Sequence, residues 1–81
     1  MVNYRKMYIW IEYKIMTIDV RKIRQSLNLT QIQFAERFGF NIYTLRHWEQ
    51  KKGVPPQATC ILLRVIARVP KIVEETVHSD S

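Results

Sequence analysis

The side chains of this sequence that could do chemistry are mostly basic and polar groups, and none of them has the spacing of a catalytic site. The single thiol, Cys60, lies on an apolar segment with no histidine near it in sequence, which favours an inert buried side chain. The two histidines, His47 and His78, make no metal-ligand spacing with each other or with Cys60. No paired-carboxylate, Ser-His-Asp or glycine-rich phosphate-binding pattern is present in the sequence. We therefore predict a protein that is not an enzyme and that uses no cofactor or metal.

The charge of the chain points instead to an anionic partner. The 81 residues carry a net charge of +6, and residues 19–70 alone hold nine basic and three acidic side chains. This balance favours nucleic acid as the partner. The length allows one domain, and a domain of this size buries only about 60% of its unfolded surface, so a dimer partner or ligand would add stability. One cysteine is compatible with the reducing cytoplasm.

From Asp19 onward, apolar residues recur at helical spacing and predict five short helices. Asp19 is a candidate N-cap for the first helix, and Thr30 with Gln33 forms a capping box that starts the second. Gly39 ends the second helix in the left-handed conformation, and Asn41 is the candidate N-cap of the third. The basic residues expected on the solvated face of the first helix are Arg21, Lys22 and Arg24. The aromatic residues expected in the core are Phe34, Phe38 and Trp48.

Two prolines mark the last two predicted helices. Pro56 suits the first turn of the fourth helix, and Pro70 ends that helix and opens a fifth. The fourth is the most apolar segment, with Ala58, Ile61, Leu62, Val65, Ile66 and Val69 along it. We expect this helix to be buried except for a solvent-exposed stripe at Arg64 and Arg68. The predicted organisation is an arm over residues 1–18, an all-α domain over 19–78 and a frayed end over 79–81.

The arm is rich in aromatic residues and has a different pattern. β-Branched and aromatic residues from Tyr8 to Ile18 predict a strand or extended segment, with a short amphipathic helix as the competing interpretation. Its apolar run from Met7 to Ile11 is far shorter than the roughly 20 residues of a membrane span. No small-residue cleavage site follows, which disfavours a signal peptide. We therefore expect no membrane association.

The segment from Leu29 to Gln50 is the most informative one. Two predicted helices joined by a short turn that contains Gly39, the second helix carrying basic and polar side chains, are typical of a helix-turn-helix. The residues at characteristic spacing are Leu29-Thr30-Gln31, Phe34-Ala35, Phe38-Gly39-Phe40, Thr44-Leu45 and Trp48-Glu49-Gln50. With this spacing the chain resembles the Xre/Cro/phage-repressor type of helix-turn-helix over about residues 19–77. The resemblance implies a five-helix, lambda-repressor-like domain.

In such a domain, the helix that follows Asn41 enters the major groove of DNA with its first turn towards the bases. The outward positions of this helix, expected to contact bases, are Ile42, Tyr43, Arg46 and His47. Ile42 or Tyr43 could pack on a thymine methyl group, and Arg46 could bind guanine in bidentate fashion. The residues expected to contact phosphates are Gln31, Thr44, Lys51 and Lys52.

A narrower resemblance concerns the end of this motif and the helix after it. The Trp48-Glu49-Gln50 run, the Pro55-Pro56 pair and the segment 62–67 are similar to HigA-type antitoxins. That similarity implies a cytoplasmic, DNA-binding homodimer that neutralises a RelE/HigB-like mRNA-cleaving toxin and represses its own operon at a palindromic site. Relatives usually have glycine directly after Glu-Gln, whereas this chain has Lys51 there and Gly53 two residues later.

Two other functions remain open. One is a stand-alone regulator of the phage-repressor type without a toxin, and the other is a protein-interaction module that has kept the fold and lost DNA binding. A reading frame for a small toxin beside this gene would favour the antitoxin over the stand-alone regulator. DNA binding separates both from the interaction module.

Two protein contacts are also predicted from the residues. The aromatic side chains of the arm that could anchor a toxin are Tyr8, Trp10 and Tyr13, since such residues dominate interface energies. The arm could equally cover the domain's own core or pair across a dimer, and with Met7 or Met16 as an internal start part of it could lie outside the protein. The predicted dimer contacts lie on the fifth helix at Ile72, Val73 and Val77.

Overall fold

The computed structural model describes residues 18–79, which form five helices and contain no strand. The helices are α1 (Val20–Ser26), α2 (Gln31–Phe38), α3 (Ile42–Glu49), α4 (Gln57–Arg68) and α5 (Pro70–His78). α1 packs against α3 and α4, α2 packs against α3 and α5, and α4 packs against α5. The prediction of an all-α fold is confirmed. None of the described helices is long and apolar enough to cross a membrane.

The helix starts follow the predicted caps. Asp19 accepts a hydrogen bond from the backbone N–H of Lys22 at 3.1 Å. At α2, Thr30 accepts from the N–H of Gln33 at 3.1 Å, and the Gln33 side chain accepts from the N–H of Thr30 at 2.9 Å. Asn41 accepts from two N–H groups at the start of α3. These polar side chains satisfy donors that the first turn of each helix leaves free, so each helix begins at a defined residue.

Besides α2, which ends at Gly39, two helices end on non-glycine residues with a positive φ. Asn28 follows α1 with φ 58°, and Lys51 follows α3 with φ 58°. At the end of α3, the N–H of Lys51 donates to the carbonyl of Trp48 and the N–H of Lys52 donates to the carbonyl of His47. This pair of hydrogen bonds is a Schellman motif, whose left-handed position favours glycine. Lys51 therefore occupies the left-handed position of this motif, which glycine adopts without strain.

The core lies where all five helices of residues 18–79 meet, with Val20 as the contribution of α1. Its fully buried large side chains are Phe34, Leu45, Leu63 and Ile66. Phe34 packs against Phe38 with ring centroids 4.9 Å apart, and Phe40 contacts Phe34 on one side and the half-buried Trp48 on the other. Phe34 and Phe38 are buried as predicted, while Trp48 packs at the margin of the core.

The burial of α4 differs from the prediction in two respects. The helix begins at Gln57, one residue later than expected, with Pro56 in extended conformation as its N-cap. Only one stripe of α4 is buried, namely Cys60, Leu63 and Ile66. The exposed apolar residues on the rest of α4 and just beyond it are Ile61, Leu62, Val65, Val69 and Ile72. The expectation of a mostly buried helix is wrong because the neighbouring helices cover one face of α4 only.

The residues predicted as dimer contacts on α5 do not share one surface. Val73 is 8% exposed and belongs to the core, whereas Ile72 and Val77 are exposed. The dimer contact predicted at Val73 is therefore corrected to a position in the core. The reason is that α5 packs against both α2 and α4, and the stripe that contains Val73 fills the space between them.

Candidate nucleic-acid interface

α2 and α3 form a helix-turn-helix. α2 ends at Gly39, whose φ of 76° lets the chain reverse, and Asn41 starts α3 two residues later. Leu45 faces inward from α3 and is fully buried, so the opposite side of α3 faces solvent. This arrangement presents an eight-residue helix along the surface of the domain.

Most of the residues predicted on the outer face of α3 are exposed. Tyr43 is 74% exposed, and Thr44, Arg46 and His47 are exposed as well. Ile42 is an exception, because it is half-buried and packs against the core. The expectation that Ile42 points outward is corrected accordingly, since the first turn of α3 packs against the core.

Arg46 is held on two sides. Its Nε donates a hydrogen bond to Oε1 of Gln31 at 3.2 Å, and its guanidinium carbon lies 6.0 Å from the centroid of the Tyr43 ring. Within residues 18–79, the two Nη nitrogens of Arg46 make no hydrogen bond to protein. These four N–H groups therefore remain available to an external acceptor.

His47 lies against the loop that follows α3. A Cβ placed on Gly53 would come within 2.8 Å of Cδ2 of His47, which is closer than real Cβ contacts allow. The glycine two positions after Lys51 therefore gives the imidazole room to lie on the loop. Lys51 and Lys52 are exposed at this end of α3, so two ammonium groups flank the helix that carries Arg46 and His47.

From the sequence, Glu49 was expected only as a member of the Trp48-Glu49-Gln50 pattern, yet it is the central polar residue of this region. Glu49 is 6% exposed and lies one helical turn after Leu45, on the inward face of α3. Its two carboxylate oxygens accept from Nε and Nη2 of Arg24 at 2.7 and 2.8 Å, a bidentate pair. The side-chain NH₂ of Gln31 donates to Oε1 of Glu49 at 3.1 Å, and Arg21 lies 3.5 Å from the same oxygen.

This pairing corrects the predicted role of Arg24. Its side chain is 14% exposed, and besides the carboxylate it binds the carbonyl of Leu29 at 2.9 Å. Arg24 is therefore part of the connection between α1 and α3 and does not lie on a solvated face. The sequence held one indication of this ion pair, namely the i+4 spacing of Leu45 and Glu49. This spacing places Glu49 on the buried face of α3, where a carboxylate needs a cationic partner.

Electrostatics keep the carboxylate of Glu49 ionised. Burial acts to raise the pKa of Glu49, but the hydrogen bonds from Arg24 and Gln31, the charge of Arg24 and the hydrogen bond from Arg21 outweigh it and hold the pKa below its usual value. The hydrogen bond to Glu49 in turn raises the pKa of Arg24 against the opposing effect of burial. The pair is thus charged at neutral pH.

Within residues 18–79, the remaining chemistry-bearing residues do not assemble into another site. Cys60 is buried, its Sγ donates to the carbonyl of Pro55 at 3.4 Å, and burial raises the pKa of its thiol. Nε2 of His78 lies 3.2 Å from the carbonyl of Arg37. No group of three potential metal ligands occurs in residues 18–79. The predicted partner contacts Tyr8, Trp10 and Tyr13 lie outside the described residues.

Comparison with known protein families gives a match to an antitoxin family. The model of the antitoxin component MqsA of a bacterial toxin-antitoxin system matches residues 3–77, nearly the whole chain. Comparisons with curated proteins and with solved structures gave no match. The matched range includes all five helices except the last residue of α5.

Proposed function

The chain belongs to the MqsA family of bacterial antitoxins, and on that basis we propose that it is a DNA-binding antitoxin that represses its own operon and is not an enzyme. The observation that supports DNA binding is the outer face of α3, where Tyr43, Thr44, Arg46 and His47 are exposed beside two lysines. A helix exposed in this way after a tight turn has the shape that enters a major groove. The proposed site of action is the cytoplasm, where the operon lies.

Base recognition is assigned to the exposed side of α3. The free Nη groups of Arg46 suit the O6 and N7 acceptors of guanine, a contact with about 1–3 kcal/mol of discrimination against other bases. The exposed ring of Tyr43 suits an apolar contact such as a thymine methyl group, and His47 can donate to or accept from a base edge or a phosphate. Ile42 packs against the core and is only half-exposed, so less of its side chain than that of Tyr43 can contact a base.

Phosphate contacts are assigned to Lys51, Lys52 and the hydroxyl of Thr44. All three residues are exposed on or just beyond α3. Ammonium groups at the end of a groove-binding helix position it by attraction to the backbone of the duplex, independently of base sequence.

A homodimer is the proposed functional unit. The exposed apolar stripe of α4 and the residues that follow it, defined here by Ile61, Leu62, Val65, Val69 and Ile72, is a large apolar surface for so small a domain. A second copy packed on this stripe would remove it from water and would relate two α3 helices by a two-fold axis. Half-sites on DNA would then lie about 34 Å apart, in a palindrome.

The partner toxin is proposed to be an RelE/HigB-like enzyme that cleaves mRNA. Membership of an antitoxin family supports a toxin partner and favours this role over that of a stand-alone repressor. Co-expression with the product of the adjacent gene, followed by purification through a tag on the toxin, tests the pairing. We expect both chains in one complex, and deletion of residues 1–16 should weaken toxin binding more than DNA binding. A toxin that binds the truncated chain unchanged would exclude the arm as its anchor.

The DNA-binding part of the proposal is tested by a mobility-shift assay on the duplex directly upstream of the gene. We expect retardation of this duplex and a steep fall in affinity as salt rises, because phosphate contacts release counterions. A scrambled duplex of equal composition serves as the control. No retardation of either duplex, or a flat response to salt, would favour the interaction module without DNA binding, and equal affinity for both duplexes would contradict a sequence-specific repressor.

A further inference from the structure

We propose that Gln31 is a positioning residue for base recognition, which orients the guanidinium of Arg46 and is itself oriented by the buried carboxylate of Glu49. The inference rests on the proposed function and deepens it. It changes the expected role of Gln31, whose side chain was predicted to contact phosphate. In the structure both polar atoms of this side chain are engaged by protein, one by Glu49 and one by Arg46.

The orientation of the Gln31 amide is dictated by its buried neighbour. An ionised carboxylate only accepts hydrogen bonds, so the Gln31 NH₂ group must face Glu49 and its carbonyl oxygen must face the other way. The opposite amide orientation would put two acceptors 3.1 Å apart. Since the bidentate contacts with Arg24 hold Glu49 in place, the direction of the Gln31 carbonyl is defined by contacts below the surface.

The outward carbonyl of Gln31 binds the Nε side of the Arg46 guanidinium and so determines which of its N–H groups remain free. Nε of Arg46 donates to Oε1 of Gln31 at 3.2 Å, while the Tyr43 ring lies beside the guanidinium at 6.0 Å. This leaves the end of the guanidinium, with both Nη atoms, pointing away from its protein contacts. Two parallel N–H groups at that end match the O6 and N7 acceptors of guanine.

An arginine that is already oriented by protein contacts loses less conformational entropy when it binds DNA than a freely rotating one. A long side chain loses rotamer freedom when it binds, and holding it beforehand reduces that loss. The hydrogen bonds converge on Glu49: Arg24 and Gln31 donate to its carboxylate, and Arg46 donates to Gln31. α1, α2 and α3 each contribute to this network, so the orientation of Arg46 depends on the packing of all three helices.

The test compares Gln31→Met, which keeps the length of the side chain and removes its polar atoms, with Gln57→Met as the matched control. Gln57 is the first residue of α4, as Gln31 is of α2, and its side chain is exposed. Affinity is measured for the upstream duplex and for a scrambled duplex. We expect Gln31→Met to reduce the preference for the upstream duplex by about 2- to 10-fold, the effect of ordering one side chain. Gln57→Met should leave the preference unchanged.

A double-mutant cycle with Arg46→Ala separates positioning from a direct contact. If Gln31 acts through Arg46, the loss caused by Gln31→Met disappears once Arg46 is alanine. Additive losses, or an equal loss of affinity for both duplexes, would show that Gln31 contacts DNA itself and would overturn the inference while leaving the proposed function intact. If the wild-type chain prefers neither duplex, the proposed function fails, and the inference fails with it.

A measurement without DNA completes the test. In the NMR spectrum of the free protein, the Nε–H resonance of Arg46 should be protected from exchange with water. We expect this protection to be lost in Gln31→Met and kept in Gln57→Met, with the backbone spectrum otherwise preserved. An Arg46 Nε–H that exchanges equally fast in all three proteins would contradict the contact on which the inference depends.

Discussion

At the residue scale, Glu49 shows how one buried carboxylate can organise a surface. Burying a charge is costly unless it is paired and hydrogen-bonded, and Glu49 receives donors from three other side chains. Among the described residues, no buried side-chain N or O lacks a partner. The carboxylate therefore connects α1, α2 and α3 without leaving an unsatisfied polar group in the interior.

The lowered pKa of Glu49 predicts a dependence of stability on pH. Because the folded-state pKa lies below that of the unfolded chain, the stabilisation is complete above the unfolded value of about 4.3 and is lost as pH falls through the folded value. Urea unfolding between pH 3 and 7 should show this loss, and a ¹³C titration of the Glu49 carboxyl should give a midpoint below that of a glutamate in a peptide. A midpoint above it would contradict the ion pair.

The control for the pH dependence is Glu36→Gln, since Glu36 is exposed on α2. This variant should keep the acid-induced loss of stability. Glu49→Gln should lower the free energy of unfolding at pH 7 by about 3 kcal/mol, because it leaves Arg24 without its charged partner. The stability that remains should vary less with pH than that of the wild type.

Substitution of Lys51, in contrast, is expected to raise the free energy of unfolding. The left-handed conformation destabilises the folded state by about 1–2 kcal/mol at a non-glycine residue. Glycine removes this strain, but it loses more backbone entropy on folding, and that loss offsets part of the gain. Lys51→Gly should therefore raise the free energy of unfolding by about 0.5–1 kcal/mol in urea unfolding. Lys52→Gly removes the same charge at a residue without positive φ and should give no gain. Equal effects of the two variants would assign the change to charge.

At the element scale, the caps decide where the short helices begin. α1, α2 and α3 have only seven or eight residues each, and helices of that length are unstable in isolation. The capping box at Thr30 and the double acceptor at Asn41 provide local hydrogen bonds at the two helices of the helix-turn-helix. α4 and α5 have no side-chain cap and depend on packing.

We predict that Thr30→Ala lowers the free energy of unfolding by about 1 kcal/mol, because the N–H of Gln33 loses its acceptor. Thr76→Ala is the matched control. The Thr76 hydroxyl donates to the carbonyl of Ile72 within α5 and is exposed, so its removal should change stability by less than about 0.5 kcal/mol. Chemical denaturation of the two variants provides the measurement, and equal losses would argue against a special role for the cap.

At the scale of the whole molecule, the exposed apolar stripe of α4 is the largest departure from a self-contained domain. Three of the residues that define it, Ile61, Leu62 and Val65, lie on the same helix as the buried stripe, so both sides of α4 carry apolar residues. A domain with so little buried surface gains stability when a second copy covers such a face. The proposed dimer therefore accounts for an apolar surface that the chain's described helices leave open.

Val65→Glu tests this dimer, because Val65 lies on the stripe and is 39% exposed. Placing a carboxylate on an apolar interface should convert the dimer to a monomer while the helical circular dichroism is retained. Val54→Glu is the matched control, since Val54 is exposed in the loop before α4. Sedimentation equilibrium at tens of micromolar distinguishes the two variants. A wild-type chain that sediments as a monomer would remove the stripe as a dimer interface.

The sequence by itself determined the features that depend on short-range spacing. The caps at Asp19, Thr30 and Asn41 and the left-handed turn at Gly39 all follow from interactions within about four residues along the chain. Such interactions have the same geometry in any helix of this type. The helix-turn-helix was therefore predictable from the pattern alone.

Only the tertiary structure decided which faces are covered and which distant side chains meet. Arg24 and Glu49 are 25 residues apart in sequence, and their pairing depends on the packing of α1 against α3. Val73 is buried and Val65 is exposed, although both are valines on amphipathic helices. Helical periodicity defines a stripe, but the neighbouring helices determine which stripe is buried. For the same reason the orientation of Gln31, and through it that of Arg46, is a property of the folded domain.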